Sequence, residues 1–304
     1  MPQYEALTLR ALDQADIPAV RRILDTSEYT HYRFTSDELP GLMGRLPNAG
    51  ALSAPSGRLT RVTRGSLRAF LLVNWLVPPS AWIGGFGVTW SDGAHFPDFL
   101  AALLPPLARQ AHNAGAETLY YSGSDLESDW LRETFERQGF TLATLLRSYD
   151  KEDFAVPSPG NQRVRLRPFT PADTPAVVAL ENLTFDQLWR HDAASFIEVA
   201  ATYPYFVVAE DERGICGYQF NTVDAATGYL VRIAVHPRVA GMGVGTRLMA
   251  EAVRYFERRR VWKIVLNTEE TNTRAHALYE RFGFHRVPPR GYVLAHDTAS
   301  LAMR

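Results

Sequence analysis

The same opening pattern occurs twice in this chain, and a repeat constrains the fold because each copy must build the same structural unit. The shared residues have identical spacing and are Leu9-Arg10, Ala15-Asp16 and Pro18-Ala19-Val20 in the first copy, and Leu166-Arg167, Ala172-Asp173 and Pro175-Ala176-Val177 in the second. The copies also end alike, with Phe-Glu-Arg-Gln-Gly-Phe at 135–140 and Tyr-Glu-Arg-Phe-Gly-Phe at 279–284. We therefore predict a tandem duplication.

Each copy is predicted to open with a short strand and then a helix whose start is marked by capping residues. Asp13 in the first copy and Thr170 in the second stand at the expected N-cap, and Asp16 and Asp173 follow three residues later. Oxygen atoms at these positions can accept hydrogen bonds from the N–H groups that a first helical turn leaves unpaired. At the end of each copy, a glycine is expected to stop the last helix before a final strand.

The length of the chain agrees with two domains, because 304 residues suit two cores of roughly 150 residues better than one. The segment Val-Pro-Ser-Pro-Gly-Asn at 156–161 contains two prolines and a glycine, which interrupt helices and strands alike. We predict a first domain at 1–155, a linker at 156–162 and a second domain at 163–304.

The composition excludes several classes of partner. A formal net charge of −1 argues against nucleic acid or an anionic membrane surface, and no run approaches the 18 or so apolar residues of a membrane span. The single cysteine, Cys216, cannot form an intrachain disulfide and fits a reducing cytoplasm. The eight histidines show no metal-binding spacing. We expect a cytoplasmic protein without a metal site or a membrane segment.

Hydrophobic patterning places secondary structure in both halves. Strands are predicted at 205–209, 215–222, 229–235 and 261–266 in the second half, and at 68–75, 82–90 and 117–122 in the first. Helical spacing predicts helices at 246–260 and 96–113. Pro105-Pro106 is expected to interrupt the latter helix or to mark its start.

The most informative segment runs from 233 to 246 and reads Ile-Ala-Val-His-Pro-Arg-Val-Ala-Gly-Met-Gly-Val-Gly-Thr. Gly241, Gly243 and Gly245 permit positive φ and close approach of the backbone to a ligand, and the following helix adds a positive potential. Such a loop suits a pyrophosphate, although alternating glycines also occur in plain tight turns. A Walker loop is excluded because no Gly-Lys-Ser/Thr is present, and a Rossmann loop would follow the first strand of its domain.

A second motif decides between these alternatives. Along the chain, a strand, the glycine loop, a helix and another strand come first. They are followed by Asn272 and by the segment Ala-His-Ala-Leu-Tyr-Glu-Arg-Phe-Gly-Phe at 275–284. Together with the Val-x-Pro before the loop, they resemble the GNAT acetyltransferases over essentially all of residues 163–296. The resemblance implies an α+β fold with two tandem GNAT-like domains. Each would be a mixed, mostly antiparallel twisted sheet flanked by helices and splayed between its fourth and fifth strands.

The resemblance also implies acetyl-CoA as cosubstrate and assigns its contacts. In a splayed sheet the edge groups of residues 232–235 are exposed, and the pantetheine arm would pair with them like an added strand. The residues expected to bind acetyl-CoA are Ile233, Ala234 and Val235 at this edge, Gly241, Met242, Gly243, Val244, Gly245 and Thr246 around the pyrophosphate, and Asn272 beside the pantetheine. Tyr279 is the expected catalytic residue, next to the sulfur. The alternative for Tyr279 is a core aromatic at helical spacing.

Two positions depart from the family pattern. The residue before Gly241 is usually Arg or Gln in the family and is Ala240 here, with Arg238 as a candidate replacement. Some protein N-terminal acetyltransferases carry a Glu twelve residues before the tyrosine, and that position here is Asn267, so the general base is not carried over. The candidates for this role are Glu269, Glu270, His276 and a bound water that relays the proton.

The first half resembles the same fold only faintly. Phe-Gly-Val-Thr-Trp-Ser-Asp-Gly at 86–93 stands where the glycine loop should be, and Asp92 would repel a phosphate. Phe135 and Ser128 replace the counterparts of Tyr279 and Asn272. We expect residues 1–155 to be a non-catalytic partner of the second half, with a separate ligand-binding role as the alternative.

Other candidate groups have ordinary structural explanations. Arg258-Arg259-Arg260 could reach the 3′-phosphate of CoA, but basic residues in a last helical turn are typically solvated. Cys216 is expected to be a small buried side chain. The segment Phe-Asp-Gln-Leu-Trp-Arg-His-Asp at 185–192 stands where relatives build the acceptor pocket, and an amphipathic surface helix would explain the same residues.

The sequence thus predicts an N-acetyltransferase that moves an acetyl group from acetyl-CoA to an amine by direct attack in a ternary complex. The acceptor would be a small-molecule amine or a peptide N-terminus. Within the enzyme class, the alternative is an enzyme similar to the mycothiol synthases, which also join two such domains and acetylate an amino-sugar conjugate. Outside it, the alternative is a CoA-binding sensor or adaptor without turnover, which Ala240 and Asn267 favour. The sequence specifies neither the acceptor nor the oligomeric state.

Overall fold

The computed structural model describes residues 7–53, 65–124 and 130–304 of the chain. Its strands are β1 (Thr8–Arg10), β2 (Thr30–Tyr32), β3 (Asn48–Leu52), β4 (Leu67–Val77), β5 (Ser80–Val88), β6 (Thr118–Ser124), β7 (Thr141–Lys151), β8 (Arg165–Pro168), β9 (Tyr205–Asp211), β10 (Gly214–Asp224), β11 (Thr227–Val235), β12 (Lys263–Glu269) and β13 (His285–Asp297). Its helices are α1 (Ile17–Thr26), α2 (Leu39–Arg45), α3 (Phe96–Asn113), α4 (Arg132–Arg137), α5 (Thr174–Thr184), α6 (Ala193–Thr202), α7 (Val244–Arg258), α8 (Thr273–Arg281) and α9 (Thr298–Ala302). All seven predicted strands are present, with ends shifted by a few residues.

The chain divides into two compact units whose limits differ from the domain boundaries drawn from the sequence. The first unit contains the described residues up to 123, together with 130–143 and 292–304. The second unit contains 144–291, so it includes most of β7 and the whole of the segment predicted as a linker. The end of β13 and all of α9 belong to the first unit. Each unit therefore includes a segment that the sequence assigned to the other domain.

Six strands of the second unit are hydrogen-bonded in the order β7-β12-β11-β10-β9-β8. Neighbouring strands are antiparallel except for β11 and β12, which are parallel. Among the unit's core clusters, one contains Met249, Val253 and Phe256 from α7, and another contains Val177 from α5 and Phe196 from α6. The predicted mixed, mostly antiparallel sheet flanked by helices is confirmed.

The first unit repeats this arrangement with the strand order β1-β3-β4-β5-β6-β13, in which β5 and β6 are parallel. The end of the chain is anchored in this unit. The Thr298 hydroxyl, at the start of α9, donates to the Ala116 carbonyl at 2.7 Å, and Arg109 donates to the Ala302 carbonyl at 2.9 Å. These bonds explain why the last residues belong to the first unit.

The predicted helix starts are confirmed in both copies, each at a short 3-10 turn that leads into the helix. Ahead of α5, Thr170 and Asp173 form a capping box, and Asp173 also accepts two bonds of 2.7 Å from the Arg167 guanidinium. The first copy contains the same arrangement with Asp13, Asp16 and Arg10. The helix stops are also confirmed, because Gly139 after α4 has a φ of +89° and Gly283 after α8 has a φ of +79°.

The prediction for the proline pair is wrong. Pro105 and Pro106 lie inside α3, which runs from Phe96 to Asn113. A proline removes one N–H group and crowds the preceding turn, so such a helix needs support from its surroundings. Here Leu103, Leu104 and Leu107 are all fully buried, and their packing holds the helix on the sheet. In the described parts of the chain, neither α3 nor any other helix is long and apolar enough to cross a membrane.

Replacing Asp173 with alanine should lower the free energy of unfolding by about 2 kcal/mol, because a helix cap and two charge-assisted bonds are lost. Hydrogen bonds from Arg167 lower the pKa of Asp173 to about 2. Since this folded-state pKa is below the unfolded value of about 3.9, the contribution is complete above that value and is lost as the pH falls through 2.

Urea titrations from pH 7 to pH 2 check this expectation. The gap between wild type and Asp173→Ala should be constant above about pH 4 and should close toward pH 2. Asp224→Ala, which removes an exposed carboxylate from the end of β10, is the control and should leave stability almost unchanged. A gap of the same size at pH 2 and pH 7 would show that the charge of Asp173 has no part in it.

Candidate functional site

Strands β11 and β12 separate soon after they begin. Their parallel ladder joins Thr227 to Lys263, Gly228 to Ile264 and Tyr229 to Val265, and it ends there. Strand β10 accompanies β11 to Val235, with a register shift between Phe220 and Asn221 that marks a β-bulge. In the described ladders, residues 230–235 of β11 therefore have a partner strand on one edge only. This is the splay that the sequence analysis expected.

The backbone groups on the open edge can be assigned by alternation along β11. The N–H of His236 donates to the Cys216 carbonyl of β10 at 2.9 Å. Because successive residues of a strand direct their backbone groups to opposite edges, those of Ile233 and Val235 point away from β10. The backbone groups of Ala234 point toward β10, and its side chain lies in the core cluster of α5 and α6. The structure thus separates Ala234 from the other two predicted edge residues.

The glycine loop follows β11 directly. A 3-10 turn spans Pro237–Val239, and then Gly241 and Gly243 adopt left-handed backbone conformations, with φ of +77° and +78°. Gly245 does not, because it lies in the first turn of α7. An added Cβ at Gly245 would meet only Val235 and Leu278 at ordinary contact distances of 3.5 and 3.6 Å. Of the two reasons for a glycine at this position, positive φ therefore does not apply, and only close approach of a ligand would require glycine there.

Asn161 supports the loop from the segment predicted as a linker. Its backbone N–H donates to the Gly243 carbonyl at 3.1 Å, and its side-chain amide donates to the Met242 carbonyl at 2.9 Å. Met242 itself is 60% exposed. The N–H groups of Val244, Gly245 and Thr246 occupy the first positions of α7, where a helix offers no internal acceptor. A loop held in this way presents a helix N-terminus suited to an anion.

Arginines lie close to this helix start. Arg281 of α8 donates to the Thr246 hydroxyl at 3.4 Å, and the Nε of Arg247 is buried with no hydrogen-bond partner among the described residues. Arg238 does not replace the missing side chain at Ala240, because its guanidinium donates twice to the Asp211 carboxylate, at 2.5 and 2.9 Å. That hypothesis is wrong, and Asn161 orders the loop instead. The sequence contained no signal for Asn161.

Tyr279 lies on α8 next to Leu278, the residue that faces Gly245. Its ring is buried against Tyr149, at 5.6 Å between centroids, and Phe284. Burial, with a smaller effect from Tyr149, raises the pKa of Tyr279, so the phenol stays protonated at neutral pH. These contacts bring α8 against the start of α7, and the catalytic role of Tyr279 stays a prediction.

Asn272 has a structural role at the N-terminus of α8. Its side-chain oxygen accepts from the Ala275 N–H at 3.2 Å, and its amide donates to the Thr268 hydroxyl at 3.2 Å. The helix therefore depends on Asn272 as a cap. The expected contact between Asn272 and pantetheine stays a prediction.

The structure argues against two of the candidate bases. His276 Nε2 lies 3.0 Å from the Glu270 carbonyl, which can only accept, so Nε2 carries the proton. Its Nδ1 then accepts from the Tyr149 hydroxyl at 2.6 Å, and both ring nitrogens are engaged. The Glu270 carboxylate pairs with Arg147. Glu269 ends β12, and a water relay is the other candidate that stands.

The segment 185–192 is fastened to a buried carboxylate that the sequence analysis missed. Glu181 is fully buried and accepts from the Tyr218 hydroxyl, from the His191 N–H at 2.9 Å and from Arg232 at 2.8 Å. Burial opposes its charge, but the hydrogen bond from His191 and the charge of Arg232 outweigh it and hold the pKa of Glu181 below its ordinary value. The segment contains a short 3-10 turn, Gln187–Trp189, so the surface-helix alternative is wrong.

A signal for Glu181 is present in the sequence. Val177, Leu180, Glu181 and Thr184 share one face of α5 at helical spacing, and the first two are core residues. A carboxylate on the apolar face of a helix must be paired when it is buried. Its partners come from β10, β11 and the segment after α5, and no local pattern connects them.

Two further candidate functional groups have the ordinary structural environments that the sequence analysis gave as their alternative. Arg258 pairs with Glu251 at 2.9 Å on the surface of α7. Cys216 is fully buried beside Val239 and Leu248, and burial raises the pKa of its thiol. Within the described ranges, no group of three or more His, Cys, Asp or Glu side chains is arranged to hold a metal ion.

The first unit has the same splay, but its own chain covers the edge. The ladder between β5 and β6 ends at Ile83 and Tyr121, and beyond it β2 pairs with β5 from Gly85 to Gly87. The N–H of Val88 donates to the Tyr29 carbonyl at 3.1 Å. An added strand therefore occupies the edge that the second unit leaves open.

The loop after β5 is also filled from within the first unit. Asp92 accepts two bonds from the Arg68 guanidinium, at 2.6 and 2.5 Å, and a third from the Thr89 hydroxyl. Phe135, at the place of Tyr279, is buried and stacked on Tyr121. Ser128 lies outside the described residues. An ion pair thus stands where the second unit has its glycine loop.

Comparison with known proteins agrees with this geometry. Residues 173–284 match the family model described as Acetyltransferase (GNAT) family. A mycothiol acetyltransferase of Beutenbergia cavernae is 29% identical over 44% of this chain and 48% of that protein. A second, of Saccharomonospora viridis, is 26% identical over 65% of this chain and 61% of that protein. The chain thus spans about half the length of the first of these relatives.

Solved structures are similar over nearly the whole chain. A tandem GNAT protein from the clavulanic acid biosynthesis pathway is similar with a TM-score of 0.65, over 96% of this chain and 99% of that chain, at 14% identity. A GCN5-related N-acetyltransferase from Sphaerobacter thermophilus is similar with a TM-score of 0.62, over 98% and 97%, at 17% identity. At these identities the likeness concerns the fold alone. It extends through both units.

We expect CoA to bind once per chain because, among the described residues, the second unit alone combines an uncovered strand edge with a glycine loop that leads into a helix N-terminus. Gly243→Asp should weaken CoA binding roughly 100-fold or more, since it places a carboxylate where the pyrophosphate is expected, on a left-handed backbone. Calorimetry with CoA gives both the stoichiometry and the affinity. Gly115→Asp introduces the same strain in the first unit, at a φ of +90°, and should leave CoA affinity unchanged. Two equivalent sites would contradict this expectation.

Proposed function

We propose that this chain is a tandem two-domain member of the GNAT acetyltransferases, whose family model matches residues 173–284, and that its second unit binds acetyl-CoA and transfers the acetyl group to an amine. The acceptor is a small-molecule amine or a peptide N-terminus. One observation carries the proposal: the open edge at Ile233 and Val235 leads into a supported loop and a helix N-terminus. Strand pairing and an anion site lie next to each other along the chain.

This combination fits the two chemical parts of CoA. The pantetheine arm contains amide groups, which can pair with the backbone of Ile233 and Val235 as an added strand does. The N–H groups of Val244, Gly245 and Thr246 suit the pyrophosphate, and the absence of a side chain at Gly245 permits close approach. Arg247 and Arg281 contribute positive charge at the same end of α7.

Tyr279 is the proposed general acid. In the reaction, a C–N bond forms between the amine and the acetyl carbon, the C–S bond breaks, and the sulfur leaves as a thiolate that needs a proton. A phenol is a weaker acid than a thiol, whose pKa is about 8.5, so Tyr279 must act through its position. Burial keeps its hydroxyl protonated before the reaction. The amine must lose a proton in turn, and Glu269 or a water is the proposed acceptor of it.

The relatives favour one acceptor class as a second candidate. Four of the matched proteins are named mycothiol acetyltransferases, so an amino-sugar conjugate is an acceptor to test alongside simple amines and peptides. A CoA-binding sensor without turnover is the other alternative, supported by Ala240 and Asn267. The proposed compartment is the cytoplasm, where the single buried thiol of Cys216 stays reduced.

An acetyl-transfer assay tests the proposal. The protein is incubated with radiolabelled acetyl-CoA and, in separate reactions, with an amino-sugar conjugate, small primary amines and peptides with free N-termini. We expect labelled product from at least one class, at a rate above that of thioester hydrolysis without acceptor. Gly243→Asp is the inactive control. CoA binding without labelled product from any acceptor would instead support the sensor alternative.

Tyr279→Phe should leave CoA affinity nearly unchanged and lower kcat roughly 100-fold, as is typical for loss of a general acid. The substitution keeps the ring that packs on Tyr149 and Phe284 and removes only the hydroxyl. Calorimetry and steady-state kinetics with the acceptor found above measure the two effects. Tyr255→Phe is the control, because it removes a tyrosine hydroxyl that is buried without a hydrogen-bond partner among the described residues, and it should leave kcat unchanged. An unchanged kcat in Tyr279→Phe, with chemistry limiting the rate, would assign Tyr279 to packing.

A further inference from the structure

Both units contain a splayed strand edge, but the segment that covers this edge in the first unit is placed differently in the second. In the first unit, β2 pairs with the edge of β5 from Gly85 to Gly87. In the second unit, the turn Gln187–Trp189 stands at the corresponding place. It follows Asp173 at the same spacing at which β2 follows Asp16. This turn is not paired with β11 in the described ladders. The repeat therefore shows one segment in two arrangements.

Side chains of a buried polar cluster hold the turn in the second unit. Arg232 donates to the Trp189 carbonyl at 2.5 Å and to Glu181 at 2.8 Å, and its guanidinium stacks over the Phe185 ring at 3.9 Å. Glu181 in turn accepts from the backbone N–H of His191 at 2.9 Å. The segment is thus fastened at Phe185, Trp189 and His191, and each of these three contacts ends on Glu181 or Arg232.

The first unit lacks all of these polar groups. By position relative to Asp16 and to the end of β5, the counterparts of Glu181, His191, Arg232 and Tyr218 are Leu24, Phe34, Gly85 and Phe70. These counterparts contain no charge. Phe34 lies where a side chain at Gly85 would be, since an added Cβ would come within 2.6 Å of its ring. The first unit, whose edge is covered, therefore has apolar residues where the second unit, whose edge is open, has a polar cluster.

We propose that Arg232 and Glu181 are positioning residues that hold the segment 185–192 away from the open edge of β11, so that this edge stays available to an extended ligand. The Arg232 side chain binds the Trp189 carbonyl of the turn. Because this carbonyl already has a partner, the turn does not have to pair with the backbone of β11. In the first unit, Gly85 offers no side chain, and the same segment pairs with the strand instead. The inference rests on the proposed function only in naming the pantetheine arm as the ligand.

The proposal has a quantitative consequence for binding. If the turn covers the edge in about nine of ten molecules, the apparent Kd for CoA rises about tenfold, because only the uncovered fraction binds. The charges must be removed together, because a lone buried carboxylate or guanidinium would destabilise the fold. The double variant Glu181→Leu/Arg232→Gly copies the residues of the first unit at both positions.

Hydrogen–deuterium exchange of the full-length protein tests the proposal directly. In wild type, the amides of Ile233 and Val235 should exchange fast without ligand and become protected on addition of CoA. In the double variant, the same amides should be protected without CoA, and calorimetry should give a Kd for CoA about tenfold higher. A cluster with a merely structural role would give faster exchange, not protection.

Two further variants complete the test. Arg232→Lys keeps a cation and a donor at the same place and should keep the Kd within about threefold of wild type. Arg165→Gly removes an exposed arginine from β8 and should change neither measurement. An unchanged Kd in the double variant would overturn the proposal, and so would a raised Kd with faster exchange throughout the second unit. If wild type fails to bind CoA, the proposed function fails, and the exchange of Ile233 and Val235 still decides this inference.

Discussion

A strand edge presents N–H and C=O groups that must find partners, and this requirement governs both units of the chain. Parallel pairing of β11 with β12 ends after three residue pairs, and pairing of β5 with β6 ends after four. Each divergence exposes a row of backbone groups that water, a ligand or another strand must satisfy. The first unit uses its own β2 for this purpose. The second unit leaves the row open beside a helix N-terminus, and this difference separates a covered edge from a candidate site.

The same requirement explains the exchange of segments between the halves of the sequence. Strand β7 comes from the first half, yet its residues from Thr144 onward belong to the second unit, where β7 pairs with β12 from Lys151 opposite Ile264 to Leu146 opposite Glu269. Tyr149 on β7 is also the ring against which Tyr279 packs. The first half therefore contributes to the surroundings of the candidate acid, although it has no glycine loop of its own.

Buried ion pairs fix the local structure of the second unit. Asp173 with Arg167 fixes the start of α5, and Glu181 with Arg232 fixes the segment that follows it. The first pair is repeated in the first unit as Asp16 and Arg10, where it has the same geometry. The second pair has no counterpart there. The duplication has thus kept the pair that the fold needs, and the pair unique to the second unit stands beside the open edge.

Much of the fold followed from the sequence, because its signals are local. The capping residues, the glycine stops, the strand periodicities and the glycine loop each depend on neighbours a few positions away, and the family resemblance connected them into one topology. Gly241 and Gly243 could be predicted because a positive φ is a property of one residue. The proline pair in α3 was mispredicted because packing of the leucines around it outweighed a local preference.

Only the tertiary structure decided which residues support the site and where each unit ends. Asn161 contacts the loop across some eighty positions of sequence, and Arg232 on β11 reaches Glu181 of α5 and the turn at Trp189. The partners of β7 and of the chain end depend on which edges lie next to each other after folding. Such contacts have no spacing rule, because they depend on the path of the backbone through three dimensions. The sequence by itself determined the elements, the repeat and the loop, and folding determined which side chains hold them in place.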